Sequence, residues 1–189
     1  MTKFYTGVGS RDIDSETYKL LTLVGERMSE KGYVLRSGGS TGADMAFQEG
    51  CCKVDPEQTE IWLPDRDFNR EKLAHTKFSG SNYAIPTETM YDSASDWLYE
   101  NSIVKNLDGK APKAKNLLRR NLFQVVGNID PLLKPKDCLS KVVIYATDEK
   151  KIYSKGTRVA VWSARHFGVP TYNLLLDDQR EKLLRLLKL

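Results

Sequence analysis

Short β-branched runs alternate with longer stretches of helical spacing along most of the sequence, and this alternation restricts the fold more than any other feature. The first run, KFYTGV, is typical of a strand. It is followed by SETYKLLTLVGERMSEKG, where Tyr18, Leu21, Val24 and Met28 recur at helical spacing and Gly32 ends the helix. Further strands are predicted for YVLR, TEIWLP, KVVIYAT and PTYNLL.

Helical stretches separate these runs. One of them begins at Gly42 and is predicted to end at Gly50, and the others are NLLRRNLFQVVGNID, TRVAVWSARHFG and DDQREKLLRLLKL. KVVIYAT is a continuous apolar run, as expected for a strand that is covered on both faces. The sequence therefore predicts an α/β fold, a Rossmann-like open and mostly parallel sheet with helices on both faces.

The middle of the chain is less regular. Residues 65–112 are rich in Gly, Ser, Asn and Pro, and they hold the helical stretch SASDWLYENSIVKN. Because 189 residues are enough for one substantial core and few for two, we expect a single nucleotide-binding domain, 1–189, with an insertion at about 65–112.

Composition excludes several classes of protein. The hydrophobic fraction is 40% and the charged fraction 29%, as in ordinary globular proteins. No apolar run approaches a membrane span, and MTKFYTGVGSRD lacks the apolar region of a signal peptide, so we expect a cytoplasmic protein with no membrane partner. Three cysteines without a paired spacing and two histidines argue against a metal site, and no cofactor motif is present.

Positive charge is concentrated in one stretch. The net charge is +4, and residues 105–120, KNLDGKAPKAKNLLRR, hold six Lys or Arg residues against a single Asp. Such a stretch could attract phosphate groups, either of a nucleotide or of a nucleic-acid backbone. The alternative is a solvated loop.

Three glycine- or hydroxyl-bearing turns follow predicted strands: GVGSRD, SGGSTGAD and ATDEKKIYSKGTR. In open α/β sheets, ligands bind beyond the carboxyl ends of the strands, where the strand order reverses. Glycine lets backbone N–H groups approach a bound oxygen, and the following helix favours an anion at its N-terminus. Hydroxyl donors are added by Ser37, Ser40 and Thr41. The turns therefore predict a phosphate or nucleotide pocket, although none matches GxGxxG or the Walker motif.

Together, GVGSRD, LRSGGSTGADMAFQEG and LLRRNLFQVV resemble the Rossmann-like SLOG superfamily. That group includes the DNA-processing protein A (Smf) recombination mediators, the LONELY GUY phosphoribohydrolases and the YspA/YpsA-like proteins. The second motif is most similar to the SGxAxGxD pattern of DNA-processing protein A, and RRN with SKGTRVAVW is similar to elements of the YspA-like branch. The resemblance covers most of the chain outside 65–112.

The resemblance implies a set of ligand-binding residues. The first wall of the pocket would be formed by Gly9, Ser10 and Arg11, and Asp44 would lie near a ribose or base. Arginine suits such a site because its planar fork holds phosphate through two parallel hydrogen bonds. The phosphate-facing loop and the neighbouring helices would supply the rest of the set: Gly38, Gly39, Ser40, Thr41, Gly42, Arg119, Arg120, Asn121, Gly156 and Thr157.

One departure from the pattern bears on catalysis. LONELY GUY enzymes carry a glutamate in PGGxGTxxE, and Ala160 stands at that position here. Cleavage of an N-glycosidic bond needs an acid or base within hydrogen-bond reach. The catalytic candidates are therefore Asp44 and Glu49, from another helix.

Three functional hypotheses follow. The preferred one is a non-catalytic or weakly catalytic sensor or sequestering protein, which binds a nucleotide, an ADP-ribose derivative or a cyclic nucleotide signal. In it, Arg11 and Arg120 neutralise charge and an aromatic residue from 62–99 closes over the base. The alternatives are a nucleoside 5′-monophosphate N-glycosidase and a single-stranded DNA binder like DNA-processing protein A. The resemblance also implies a homo-oligomer, a dimer or larger.

Overall fold

A computed structural model of the chain describes residues 2–128, 138–150 and 156–189. These residues form a six-stranded sheet in the order β4-β3-β2-β1-β5-β6. All neighbouring strands are parallel. The strands are β1 (Lys3–Gly9), β2 (Tyr33–Ser37), β3 (Thr59–Trp62), β4 (Tyr83–Ala84), β5 (Val143–Ala146) and β6 (Thr171–Asn173).

Helices cover both faces of the sheet, which confirms the predicted α/β fold. They are α1 (Ser15–Glu30), α2 (Ala43–Val54), α3 (Arg70–Leu73), α4 (Glu88–Glu100), α5 (Pro112–Val126), α6 (Thr157–His166) and α7 (Asp177–Leu187), with a 3₁₀ turn at Thr76–Phe78. Side chains of β5 alternate between two core clusters. Val143 and Tyr145 pack with α4, α5 and α6, whereas Ile144 and Ala146 pack with α1, α2 and α7.

The chain reverses direction across the sheet next to β1. From β1 the strands are added in one direction as far as β4, and the chain then returns to place β5 on the other side of β1. In the register, Gly9 lies opposite Ala146. The carboxyl ends of β1 and β5 therefore flank the position where a sheet of this type opens a crevice.

The prediction that the second helix ends at Gly50 was wrong. Helix α2 continues to Val54. A Cβ at residue 50 would collide with the carbonyl oxygen of Thr22 on α1, and one at residue 25 would lie 2.5 Å from the carbonyl oxygen of Phe47. Glycine at these two positions therefore lets the helices pack with their backbones in contact, and Gly50 does not end the helix.

Residues 65–112 contain more structure than the sequence pattern indicated. The two-residue strand β4 pairs with β3, and α4 begins at Glu88 because Thr87 caps it, with Oγ1 accepting from the amide of Met90 at 3.3 Å. Helix α5 begins at Pro112 and ends at Val126, whereas residues 129–130 of the predicted helix lie outside the described residues.

Within the described ranges, no helix combines the length and the apolar character needed to cross a membrane.

Candidate functional site

A cleft of about 430 Å³ opens where β1 and β5 end. Its floor is fixed by β1 and β5, because the amide of Ser10 donates to the carbonyl of Ala146 at 2.8 Å. The volume falls at the small end of the range for small-molecule sites. The cleft is lined by Val8, Gly9, Ser10, Arg11, Asp12, Ser40, Asp44, Lys110, Ala114, Leu117, Leu118, Arg120, Asn121, Gln124, Gly156 and Thr157.

The turn after β1 faces this cleft. Gly9, Ser10, Arg11 and Asp12 all line it, and the side chains of Arg11 and Asp12 are exposed at its mouth. Thr157, at the start of α6, donates from Oγ1 to the carbonyl of Gly9 at 3.2 Å. This contact brings the N-terminus of α6 against the first turn.

The turn after β2 mostly faces the interior. The amide of Gly38 donates to the side-chain oxygen of Gln124 at 3.0 Å, with the Gln124 carboxamide turned so that its oxygen faces the donors. The carbonyl of Gly39 accepts from Asn69 Nδ2 at 2.8 Å. Ser37 donates from Oγ to the carbonyl of Gly7 at 2.6 Å. Of this turn, only Ser40 and Asp44 reach the cleft.

Arg120 lies across the second turn at the inner end of the cleft. It is 2% exposed, donates to the carbonyl of Trp62 at 3.1 Å and to Ser40 Oγ at 3.5 Å, and lies 2.8 Å from the side-chain oxygen of Gln124. A Cβ at residue 38 would occupy the position of the Arg120 guanidinium. The Nε of Arg120 has no hydrogen-bond partner among the described residues. Arg120 is therefore not solvated, in contrast to the solvated alternative for the basic stretch 105–120 that contains it.

Asp44 and Arg120 form a long, buried ion pair. The carboxylate is 5% exposed, its Oδ2 lies 4.0 Å from Arg120 Nη1, and it accepts from the amide of Ser40 at 3.3 Å. Burial raises the pKa of Asp44, and the nearby Arg120 and the backbone amides oppose that shift only in part. Burial likewise lowers the pKa of Arg120 to about 10. Desolvation dominates for both groups, since the pair is too long to compensate it fully.

Asn121 connects α5 to the third turn. Its Nδ2 donates to the carbonyl of Gly156 at 2.9 Å, and Gly156 and Thr157 line the cleft at the N-terminus of α6. The part of this turn at 151–155 lies outside the described residues. Amide groups at a helix start give this wall a positive potential.

Several residues of the predicted set do not reach the cleft. Glu49 lies on another surface, where Tyr18 Oη donates to it at 2.7 Å and Lys77 pairs with it at 2.5 Å. Arg119 points toward α4, with its guanidinium 4.3 Å from the Tyr91 ring centroid and 3.9 Å from Asp92. The remaining members that do not line the cleft are Ser37, Gly38, Gly39, Thr41 and Gly42.

The predicted aromatic lid is not among the described residues that line the cleft. Trp62 packs on Phe123 with ring centroids 5.3 Å apart, and Trp97 stacks on Phe167 at 5.0 Å. Tyr91 is buried and donates to the carbonyl of Pro64 at 2.9 Å. Among the described residues that line the cleft there is no aromatic side chain. These rings pack in the core because large aromatic side chains bury the most apolar area there.

Sequence reasoning missed part of the lining. Asp12 and Lys110 lie at the mouth, and Gln124 lies at the inner end. Ala114, Leu117 and Leu118 form an apolar strip on α5. Asp12 could have been identified because it directly follows Arg11 in the first turn. Lys110 belongs to a connection whose path over the sheet no local pattern predicts.

Comparisons with known proteins identify only the fold. No protein family model matches the chain, and neither does any curated protein. The solved structure of DNA processing protein A from Helicobacter pylori, which describes its single-stranded DNA binding mode, is 18% identical with a TM-score of 0.58. The match covers 97% of this chain and 72% of that one.

DNA processing protein A from Streptococcus pneumoniae is 16% identical with a TM-score of 0.54, over 97% of this chain and 56% of that one. This chain is thus similar to part of each protein. At such low identities the likeness shows a shared Rossmann-like fold, which agrees at a coarse level with the resemblance to SLOG proteins.

Proposed function

We propose that this protein binds a phosphate-bearing ligand of about mononucleotide size in the cleft between β1, β5 and α5, as a sensor or a sequestering protein. One observation carries the proposal: the turn after β1, the N-terminus of α6 and the buried Arg120 converge on one cleft of about 430 Å³. Such convergence of polar groups in a concave site is the general mark of a ligand pocket.

The walls of the cleft suit the parts of a nucleotide. Ala114, Leu117 and Leu118 offer an apolar surface to one face of a base. Ser10, Asn121 and Thr157 bear polar groups for a sugar or phosphate, and Arg11 and Lys110 supply positive charge at the mouth. These groups are compatible with nucleoside phosphates, ADP-ribose derivatives and cyclic nucleotides. A binding panel of these compounds would therefore identify the ligand.

Titration calorimetry against that panel tests the proposal. We expect saturable binding of at least one compound, weakened about tenfold or more by Arg120→Ala, because this change leaves the Asp44 carboxylate in the cleft without its cation. A tenfold change in affinity corresponds to about 1.4 kcal/mol. Arg119→Ala is the matched control because Arg119 is the preceding residue of α5 and points toward α4. Thermal melting of both variants separates a binding defect from unfolding. A panel without saturable binding would remove the proposal.

Single-stranded DNA is the second candidate. It is favoured by the fold shared with DNA processing protein A, one structure of which describes single-stranded DNA binding. The exposed Lys105, Lys110 and Lys113 also lie on the basic stretch, and Lys110 is at the mouth of the cleft. Fluorescence anisotropy with a labelled oligothymidylate should then show binding that weakens steeply with salt. Flat anisotropy at low salt excludes this candidate.

A hydrolytic function would depend on Asp44, because Glu49 lies outside the cleft. Burial raises the pKa of Asp44, and a carboxyl of this kind in a cleft is a candidate general acid. Chromatography should then detect base release from a nucleoside monophosphate, abolished in Asp44→Asn. Intact substrate after long incubation excludes the N-glycosidase.

A further inference from the structure

Three amides of the second turn and of the start of α2 are already engaged by the protein itself. The amide of Ser40 donates to Asp44 Oδ2 at 3.3 Å, that of Gly38 to the Gln124 side chain at 3.0 Å, and that of Ala43 to the carbonyl of Ser10 at 3.0 Å. An amide that donates to a protein oxygen is no longer directed at a ligand. The inner end of the cleft therefore differs from an open phosphate-binding loop.

Charge is divided unequally between the inner end and the mouth. At the inner end, Asp44 and Arg120 carry opposite charges 4.0 Å apart, and both are almost fully buried. Their net charge is zero, so the inner end as a whole does not attract an anion. At the mouth, Arg11 and Lys110 are exposed, and among the described residues that line the cleft only Asp12 opposes them. The uncompensated positive charge is therefore at the mouth.

We propose that Asp44 is an internal anion, which occupies the place of a phosphate at the second turn and so determines how the ligand enters. The phosphate then lies at the mouth between Arg11 and Lys110, and an uncharged part of the ligand that donates hydrogen bonds, such as a hydroxyl or amino group, faces Asp44. This orientation rests on the proposed function, whereas the internal anion does not depend on any nucleotide.

The physical reason is repulsion in a dry site. A phosphate at the inner end would lie beside the Asp44 carboxylate, and like charges there are poorly screened by water. Arg120 cannot serve both anions fully, since it already contacts the carbonyl of Trp62 and the side chain of Gln124. An uncharged donor instead gains a carboxylate acceptor at no electrostatic cost.

Inorganic phosphate tests the internal anion directly. Asp44→Asn keeps the shape of the side chain and removes its charge, and this variant should bind inorganic phosphate at least tenfold more tightly than the wild type by calorimetry. The double variant Asp44→Asn with Arg120→Met should lose this gain, because the cation that would hold the phosphate is absent. If Asp44→Asn does not fold, Asp44→Ser provides the same comparison. Equal phosphate affinity of the wild type and the single variant would overturn the proposal.

The four ribonucleoside 5′-monophosphates and their nucleosides test the orientation. Arg11→Ala and Lys110→Ala should each weaken binding of the monophosphates about fivefold and leave the nucleosides unaffected. Lys31→Ala is the matched control because Lys31 is an exposed lysine between α1 and β2. It lies at the amino end of β2, whereas the cleft is at the carboxyl ends of the strands. Unchanged monophosphate affinity in both mouth variants overturns the orientation. If the wild type binds no nucleotide, the proposed function fails, and the phosphate titration still decides the internal anion.

Discussion

The two glycine turns at the centre of the sheet look alike in sequence and differ in what their backbones do. GVGSRD, after β1, places Gly9, Ser10 and Arg11 in the cleft, whereas SGGSTGAD, after β2, places only Ser40 and Asp44 there. In the second turn, glycines make room for Arg120 and for the neighbouring backbone, and amides bond within the protein. A glycine-rich turn therefore indicates close approach, and the approaching group can belong to the protein as well as to a ligand.

The largest effect should come from Gly42, where the two turns touch. Its φ is +78°, and a Cβ there would lie 2.5 Å from the carbonyl oxygen of Ser10. Gly42→Ala should lower the free energy of unfolding by about 4 kcal/mol, the sum of left-handed strain and overpacking. Gly168→Ala is the control: its φ is +70° with nothing within 4 Å, so it should cost about 1 kcal/mol. Urea denaturation measures both, and equal losses would show that contact between the turns adds nothing.

The fold was predictable because most strands and helices carry a recognisable apolar pattern. KVVIYAT is a continuous apolar run, and SETYKLLTLVGERMSEKG has apolar residues at helical spacing. Strand β4 was missed because two residues carry no period. The location of the cleft also followed from the ends of the strands. The inward direction of the second turn could not be predicted, because the side chains that contact it, Gln124 and Arg120, lie some eighty residues away in the chain. Only their packing shows which amides are occupied.

Arg120 should have the second-largest effect, since it covers the second turn. Arg120→Met leaves Asp44 buried without its cation and the carbonyl of Trp62 without a donor, so the free energy of unfolding should fall by about 3 kcal/mol. Arg119→Met should cost about 1 kcal/mol, because the Asp92 carboxylate opposite Arg119 is exposed. Chemical denaturation at neutral pH compares the two. Equal losses would mean that the stability of the second turn does not depend on Arg120.

Ser37 offers a smaller test at the start of the second turn. Its hydroxyl donates to the carbonyl of Gly7 at 2.6 Å, and the side chain is fully buried. Ser37→Ala should lower the free energy of unfolding by about 1 kcal/mol through the lost hydrogen bond. Ser40→Ala, in which a longer contact of 3.5 Å with Arg120 is lost, should cost about 0.5 kcal/mol. The reverse order would indicate that the turn is held from the cleft and not from β1.

The smallest effect should be a pH dependence of the free energy of unfolding that comes from Asp44, buried in the second turn. Because burial raises the pKa of Asp44 in the folded protein, its contribution to stability is fully present below the unfolded value near 3.8 and is lost as the pH rises through the folded value. Asp44→Asn lacks this titration. The free energy of unfolding of Asp44→Asn minus that of the wild type should therefore increase from pH 4 to pH 7. The pKa of Arg120, about 10, lies above this range, so Arg120 adds nothing to the slope. A difference that does not change with pH would place the Asp44 carboxylate in water, and the second turn would then be as open as the first.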